Sequence, residues 1–123
     1  MNPISVLVIE DDKWLAEQYK RLLDKAEYGV VICSSADNAI QLIDDSLPDV
    51  IVLDILLTGS TAFALLHELQ SYGDTCNIPI IICSSLVNDL NLDTLKDYGV
   101  KKILDKTTMI PGDLIAAIKG VLQ

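Results

Sequence analysis

The segment that decides the fold is Val50-Ile-Val-Leu-Asp54, four apolar residues followed at once by a carboxylate. A strand that is apolar at every position, and not only at alternate ones, is buried on both faces of its sheet. Similar apolar runs occur at 6–9, 30–33 and 80–83, and each is followed by a stretch of helical periodicity. The sequence therefore predicts an α/β fold, with a parallel sheet and helices on both of its faces.

Strands and helices alternate from one end of the 123 residues to the other, in five βα units. The predicted strands are 4–10, 30–33, 50–53, 80–83 and 102–104. The predicted helices are 12–27, 35–47, 61–72, 88–98 and a last helix that begins near Pro111. We expect Gly29, Gly73 and Gly99 to follow the ends of the first, third and fourth helix. A length of this size predicts one domain, residues 1–123.

Charge and composition exclude several functional classes. The chain has 18 acidic and 9 basic residues and a net charge of −9, so a nucleic acid or an anionic membrane would repel it, and we expect no direct binding to either. No apolar run approaches the roughly 18–20 residues of a membrane-spanning helix, and no secretory signal is visible. The three cysteines have no CxxC spacing. This usage is typical of a reduced, cytoplasmic protein.

Residues that can carry chemistry follow the predicted strands. They are Glu10, Asp11 and Asp12 after the first strand, Asp54 after the third, Ser84 and Ser85 after the fourth, and Asp105 and Lys106 after the fifth. In parallel α/β sheets, ligands bind outside the carboxyl ends of the strands, so these side chains are expected at one edge. Asp12 could instead serve only as the cap of the first helix.

Carboxylates that are brought together repel one another unless a cation lies between them. Mg²⁺ suits a set of carboxylate and carbonyl oxygens, and a lysine is a natural partner of a phosphate group. A hydroxyl group such as that of Ser84 can donate a hydrogen bond to a phosphoryl oxygen. The pattern favours Mg²⁺-dependent phosphoryl transfer to Asp54, with charge neutralised by the metal and Lys106.

Four segments of the chain, in this order and spacing, resemble the receiver domain of two-component response regulators. They are Val6-Leu-Val-Ile-Glu-Asp-Asp12, Pro48-Asp-Val-Ile-Val-Leu-Asp54, Pro79-Ile-Ile-Ile-Cys-Ser84 and Gly99-Val-Lys-Lys-Ile-Leu-Asp-Lys106. The resemblance covers the whole chain. It implies a flavodoxin-like, CheY-like fold whose five-stranded parallel sheet has the strand order 2-1-3-4-5.

The resemblance also implies roles for individual residues. Asp54 would accept a phosphoryl group from a histidine kinase or a histidine phosphotransfer protein, with Ser84 as the switch hydroxyl and Lys106 as the phosphate contact. The implied ligands of Mg²⁺ are the carboxylates of Glu10, Asp11 and Asp54 and the backbone carbonyl of Leu56. Such a protein is a signalling switch that acts on an output domain or a target protein. It promotes its own phosphorylation and dephosphorylation and turns over no external substrate.

Three departures from the family pattern concern this switch. Ile103 occupies the switch position in the fifth strand where the family usually has an aromatic residue, and Thr107 replaces a proline after Lys106. The loop 58–62 lacks the usual Pro-Gly-x-Asp-Gly pattern. They favour an alternative function, a pseudo-receiver that binds a protein partner without phosphorylation. Since a cis bond before a non-proline residue is costly, we expect a trans Lys106–Thr107 bond, with Lys106 within ion-pair distance of Asp54.

Overall fold

The computed structural model describes residues 3–55, 62–85 and 92–122. Its strands are β1 (Ser5–Ile9), β2 (Gly29–Cys33), β3 (Val50–Leu53), β4 (Ile80–Ser84) and β5 (Val100–Asp105). Its helices are α1 (Lys13–Lys25), α2 (Ala36–Asp45), α3 (Ala62–Gln70), α4 (Leu92–Leu95, continued by a 3-10 turn at Lys96–Tyr98) and α5 (Pro111–Val121). Within these ranges, no helix is both long and apolar enough to cross a bilayer.

The five strands form one parallel sheet in the order β2-β1-β3-β4-β5. This order confirms the flavodoxin-like fold that the sequence resemblance implies. At the centre, β3 is buried on both faces: Ile51 and Leu53 pack into the cluster under α2 and α3, and Val50 and Val52 into the cluster under α1 and α5. The continuous apolar pattern of β3 therefore reflects burial on both faces of the sheet, as predicted.

The first helix ends earlier than its sequence predicts, and its end is not made by a glycine. Helix α1 stops at Lys25, and Glu27 adopts the left-handed backbone conformation with φ 68°. Gly29, the expected stop, is already the first residue of β2, and its N–H donates to the carbonyl of Ile4 in the sheet. The prediction was wrong because a non-glycine residue with positive φ is uncommon and has no clear sequence signal.

Gly99 has the role that the sequence predicts. Its φ is 85°, and its N–H closes the turn at Lys96–Tyr98 by donating to the carbonyl of Lys96. A β-carbon at this position would lie 2.9 Å from Nε2 of Gln70, closer than such atoms normally approach. Both the backbone conformation and the neighbouring side chain thus favour glycine. The predicted start of this helix, 88–91, lies outside the described residues.

We predict that Gly99→Ala lowers the free energy of unfolding by more than about 1 kcal/mol, because alanine is strained at this φ. Gly120 in α5 is the matched control, since nothing lies within 4 Å of the position of its added β-carbon. Gly120→Ala should leave stability unchanged or raise it by up to about 1 kcal/mol, through helix propensity. Urea unfolding of both variants measures the difference. Equal effects would contradict the assignment of Gly99.

Candidate functional site

Three of the predicted site residues lie at the carboxyl edge of the sheet. Their backbone continues the hydrogen bonding between the strands. The N–H of Glu10 donates to the carbonyl of Cys33, and the N–H of Asp54 donates to the carbonyl of Ile9, both at 3.0 Å. The N–H of Lys106 donates to the carbonyl of Ser84, also at 3.0 Å. Each of the three residues is thus fixed one step beyond its strand, by a hydrogen bond to the neighbouring strand.

Three carboxylates meet at this edge. Glu10, Asp11 and Asp54 each offer an oxygen, and these atoms lie within 4.8 Å of one another. Glu10 and Asp54 are only 3% and 6% exposed. Nζ of Lys106 lies 2.6 Å from Oε1 of Glu10 and 3.1 Å from Oδ2 of Asp54. Three carboxylates and one ammonium group leave a formal charge of −2, which a divalent cation would neutralise. We refer to the three carboxylates as the acid cluster.

Asp12 caps the first helix and does not belong to the acid cluster. Its side chain accepts a hydrogen bond from the N–H of Leu15, at 3.1 Å from Oδ1, and its own N–H donates to Oε2 of Glu10 at 3.3 Å. The capping role was one of the two that the sequence allows for this residue. In addition, the start of α1 helps to hold the Glu10 side chain in place.

The environment shifts the pKa values of Glu10 and Lys106. Burial raises the pKa of Glu10 to about 7, and the adjacent Asp54 adds to this effect, while Lys106 and the N–H of Asp12 act in the opposite direction. Burial alone would lower the pKa of Lys106, but its contacts with Glu10 and Asp54 outweigh burial and raise it. Lys106 therefore remains charged, whereas Glu10 titrates near neutral pH.

The two predicted switch residues lie on adjacent strands. Ser84 is the last residue of β4 and is fully buried, opposite Asp105 in the β4–β5 register. Ile103 pairs with Ile82 and packs, half-buried, against the apolar cluster on the α2–α3 side of the sheet. Leu56, the predicted carbonyl ligand, lies outside the described residues, as do residues 58–61 of the loop that departs from the family pattern.

The loop after β5 confirms one expectation and contains contacts that sequence reasoning missed. The described residues contain no cis peptide bond, so Lys106 and Thr107 are joined in trans, and Lys106 nevertheless contacts Asp54. Oδ1 of Asp105 accepts hydrogen bonds from both the N–H and the hydroxyl group of Thr107. An Asp two residues before a Thr is a sequence signal for such a turn, although a common one.

Comparison with known proteins identifies the family. The model of the response regulator receiver domain matches residues 6–119. The response regulator MprA of Mycobacterium sp. (strain KMS) is 29% identical over 121 residues, which are 98% of this chain and 51% of that protein. The chain therefore spans about half the length of the curated relatives it matches.

Solved structures agree with this assignment. The BeF3-activated N-terminal receiver domain of Klebsiella pneumoniae RstA has a TM-score of 0.79 and 27% identity, over 97% of this chain and 98% of that one. The receiver domain of sensor histidine kinase PA1611 from Pseudomonas aeruginosa, with magnesium in its active-site cleft, has a TM-score of 0.87 at 16% identity, over 98% of both chains. The second likeness concerns the fold alone. Since the family model covers most of its length, the chain belongs to the response regulator receiver domain family.

Proposed function

We propose that residues 1–123 form a single receiver domain that accepts a phosphoryl group on Asp54 and works as a phosphorylation switch. The observation that carries the proposal is the contact of Asp54 with Lys106, at 3.1 Å, beside two further carboxylates at the edge of the sheet. An unpartnered acid would suit a helix cap or a surface turn. A buried carboxylate, with an ammonium group and two acids beside it, suits phosphoryl transfer.

The proposed donor is a phosphohistidine of a histidine kinase or a phosphotransfer protein. A carboxylate oxygen of Asp54 attacks phosphorus, so that a P–O bond forms while the P–N bond breaks and its electron pair stays on the ring nitrogen. A phosphohistidine that is protonated at its other ring nitrogen then leaves as neutral imidazole. Lys106 places its positive charge beside the phosphoryl oxygens. Ser84, at the end of the neighbouring strand, donates a hydrogen bond from its hydroxyl group to one of these oxygens in the phosphorylated state.

The acid cluster has the donor set of a magnesium site. Hard carboxylate oxygens, clustered with a net formal negative charge, are ligands of the kind that Mg²⁺ takes. Glu10, Asp11 and Asp54 would hold the ion together with the carbonyl of Leu56, and the bound ion would neutralise charge on the transferred group. Asp11 is the most exposed of the three acids, so it forms the solvent-facing side of the cluster.

A second function, a pseudo-receiver that binds a partner without phosphorylation, is favoured by Ile103. This side chain is half-buried in the apolar cluster and cannot present an aromatic ring at the switch position. Beryllofluoride, which mimics an acyl phosphate on an aspartate, separates the two functions. A switch binds it in the presence of Mg²⁺, and a pseudo-receiver does not.

The output of the switch would belong to another domain or another protein. The chain spans about half of its curated relatives, among them the transcriptional regulatory protein BaeR of Escherichia coli O6:H1, at 49% of that protein. We infer that phosphorylation is read by an output domain or a target protein. The free thiols of Cys33, Cys76 and Cys83 suit a reducing compartment, which supports a cytoplasmic location.

We predict that acetyl phosphate with Mg²⁺ adds one phosphoryl group to the protein and that Asp54→Asn abolishes the addition, because the nucleophile is lost. Intact-mass spectrometry measures the product. The matched control is Asp44→Asn, on the exposed side of α2, which should be phosphorylated like the wild type. Failure of the wild type to bind beryllofluoride with Mg²⁺ would reject the switch in favour of the pseudo-receiver.

We predict that Mg²⁺ raises the melting temperature through binding to the native state and that its affinity increases from pH 6 to pH 8. The pKa of Glu10 is about 7, so this range converts its carboxyl group into the ionised form that binds the metal. Calorimetric titrations measure the affinity. Asp11→Asn should remove most of it, whereas Asp12→Asn, which keeps the helix cap, should retain it. An affinity that does not change with pH would contradict the role of Glu10.

We predict a further pH effect in the absence of Mg²⁺. Because folding raises the pKa of Glu10 from 4.5 to about 7, the native state binds more protons than the unfolded state between these values. Stability from this group is therefore full below pH 4.5 and is lost as the pH rises through 7. Glu10→Gln has no such loss, so its free energy of unfolding, relative to the wild type, should increase from pH 5 to pH 8. Urea unfolding at each pH measures both free energies. A difference between the two proteins that stays constant from pH 5 to pH 8 would refute the prediction.

A further inference from the structure

The turn Asp105–Thr107 encloses Lys106 between two groups of hydrogen bonds. Oδ1 of Asp105 lies 2.9 Å from the backbone nitrogen of Thr107 and 2.6 Å from its hydroxyl oxygen. The carbonyl of Asp105 accepts from the N–H groups of Thr108 and Met109, at 3.2 and 2.9 Å. The N–H of Lys106 itself donates to the carbonyl of Ser84. The backbone on both sides of Lys106 is thus fixed, and its side chain leaves the turn in one direction.

We propose that Asp105, through Thr107, is a positioning residue that directs the Lys106 ammonium group into the acid cluster. The inference rests on the proposed function, in which Lys106 contacts the phosphoryl group. Asp105 and Thr107 themselves have no role in the proposed phosphoryl transfer.

Asp105 acts through the backbone and not by pairing with Lys106. In the described part of the chain, the ion-pair partners of Lys106 are Glu10 and Asp54, and Asp105 is not among them. The Asp105 carboxylate is instead engaged by Thr107: the hydroxyl group first, and then the N–H, hold the pKa of Asp105 below its ordinary value. The ionised carboxylate is therefore the form that the turn stabilises, since hydrogen bonds to a charged acceptor are the stronger ones.

The turn matters because a lysine side chain is long and flexible. Four rotatable bonds separate the ammonium group from the backbone, and many rotamers would carry it into solvent. A fixed backbone direction reduces the number of rotamers that carry the ammonium group away from the cluster. Thr107 does not itself restrict its φ as a proline would, so the carboxylate of Asp105 supplies the restraint at this position.

The position of Lys106 has opposite effects on two ligands, and this allows a sharp test. The ammonium group competes with Mg²⁺ for Glu10 and Asp54, but it attracts the anionic beryllofluoride group. If Asp105→Ala releases Lys106, Mg²⁺ affinity, measured at alkaline pH so that protons on Glu10 do not compete with the metal, should rise at least about threefold, because a competing positive charge has moved away. Beryllofluoride affinity, measured at saturating Mg²⁺, should fall about tenfold. A variant that only loosens the fold would weaken the binding of both ligands.

Conservative variants separate positioning from charge. Asp105→Asn removes the same negative charge but keeps an oxygen that can accept from Thr107, so both affinities should stay within about twofold of the wild type. Thr107→Val removes the hydroxyl group and should give an intermediate effect on both affinities. Thr107→Ser keeps a hydroxyl group and should resemble the wild type. In a Lys106→Ala background, Asp105→Ala should have no further effect on beryllofluoride binding, since the two residues act as one unit.

Calorimetric titration of Mg²⁺, and of beryllofluoride at saturating Mg²⁺, gives both readouts on every variant. Opposite changes in Asp105→Ala, with Asp105→Asn close to the wild type, support the proposal. It is overturned if both affinities fall together, if Asp105→Asn matches Asp105→Ala, or if Mg²⁺ affinity does not change. If the wild type binds Mg²⁺ but no beryllofluoride, the proposed function fails, while a tighter Mg²⁺ complex of Asp105→Ala still supports the positioning.

Discussion

The contact of the Lys106 ammonium group with two buried carboxylates is the interaction on which the rest of the site depends. Glu10 and Asp54 lie almost out of solvent, with Asp11 beside them. Without a positive charge, these acids would repel one another and take up protons. Burying an ion pair is also costly, because both groups lose their hydration. Such an arrangement is poor evidence for stability and is better explained by chemistry that needs charges at this place.

The sheet supplies the rigidity that this arrangement needs. Strand β3 fills both apolar clusters, so it can neither slide nor rotate without opening the core. The hydrogen bonds that fix Glu10, Asp54 and Lys106 are continuations of strand pairing. The chemical groups thus follow directly on hydrogen-bonded strands of the sheet. The segments that surround them can differ from the family pattern without moving the acid cluster.

The departures at Ile103 and Thr107 have different structural consequences. Ile103 fills space in the apolar cluster on the α2–α3 side of the sheet, so this position serves packing here. Thr107 has become part of the turn that holds Lys106. Glu10, Asp11, Asp54 and Lys106 lie together in spite of both changes. Both changes therefore leave the contacts of Lys106 with Glu10 and Asp54 in place.

The sequence by itself determined the parallel sheet, the acids at its carboxyl edge and the glycine that closes the turn before β5. These features follow from local patterns: continuous apolar runs, the residue after each run, and a glycine, Gly99, after the fourth helix. The predicted fifth strand, 102–104, contained no irregularity. In the structure, β5 has a register shift opposite Ile80 and Ile81, so Val100 and Ile103 face one cluster while Leu104 faces the other.

Only the tertiary structure decided this register, the pKa of Glu10 and the hydrogen bonds from Thr107 to Asp105. Alternation along a strand cannot reveal a bulge, because an extra residue is recognised only against the neighbouring strand. Acidity depends on burial among residues that are distant in sequence. Lys106 and Glu10 are 96 positions apart, and no local pattern measures the distance between their charges. The sequence identifies the groups at the sheet edge, whereas packing determines the distances between them and their pKa values.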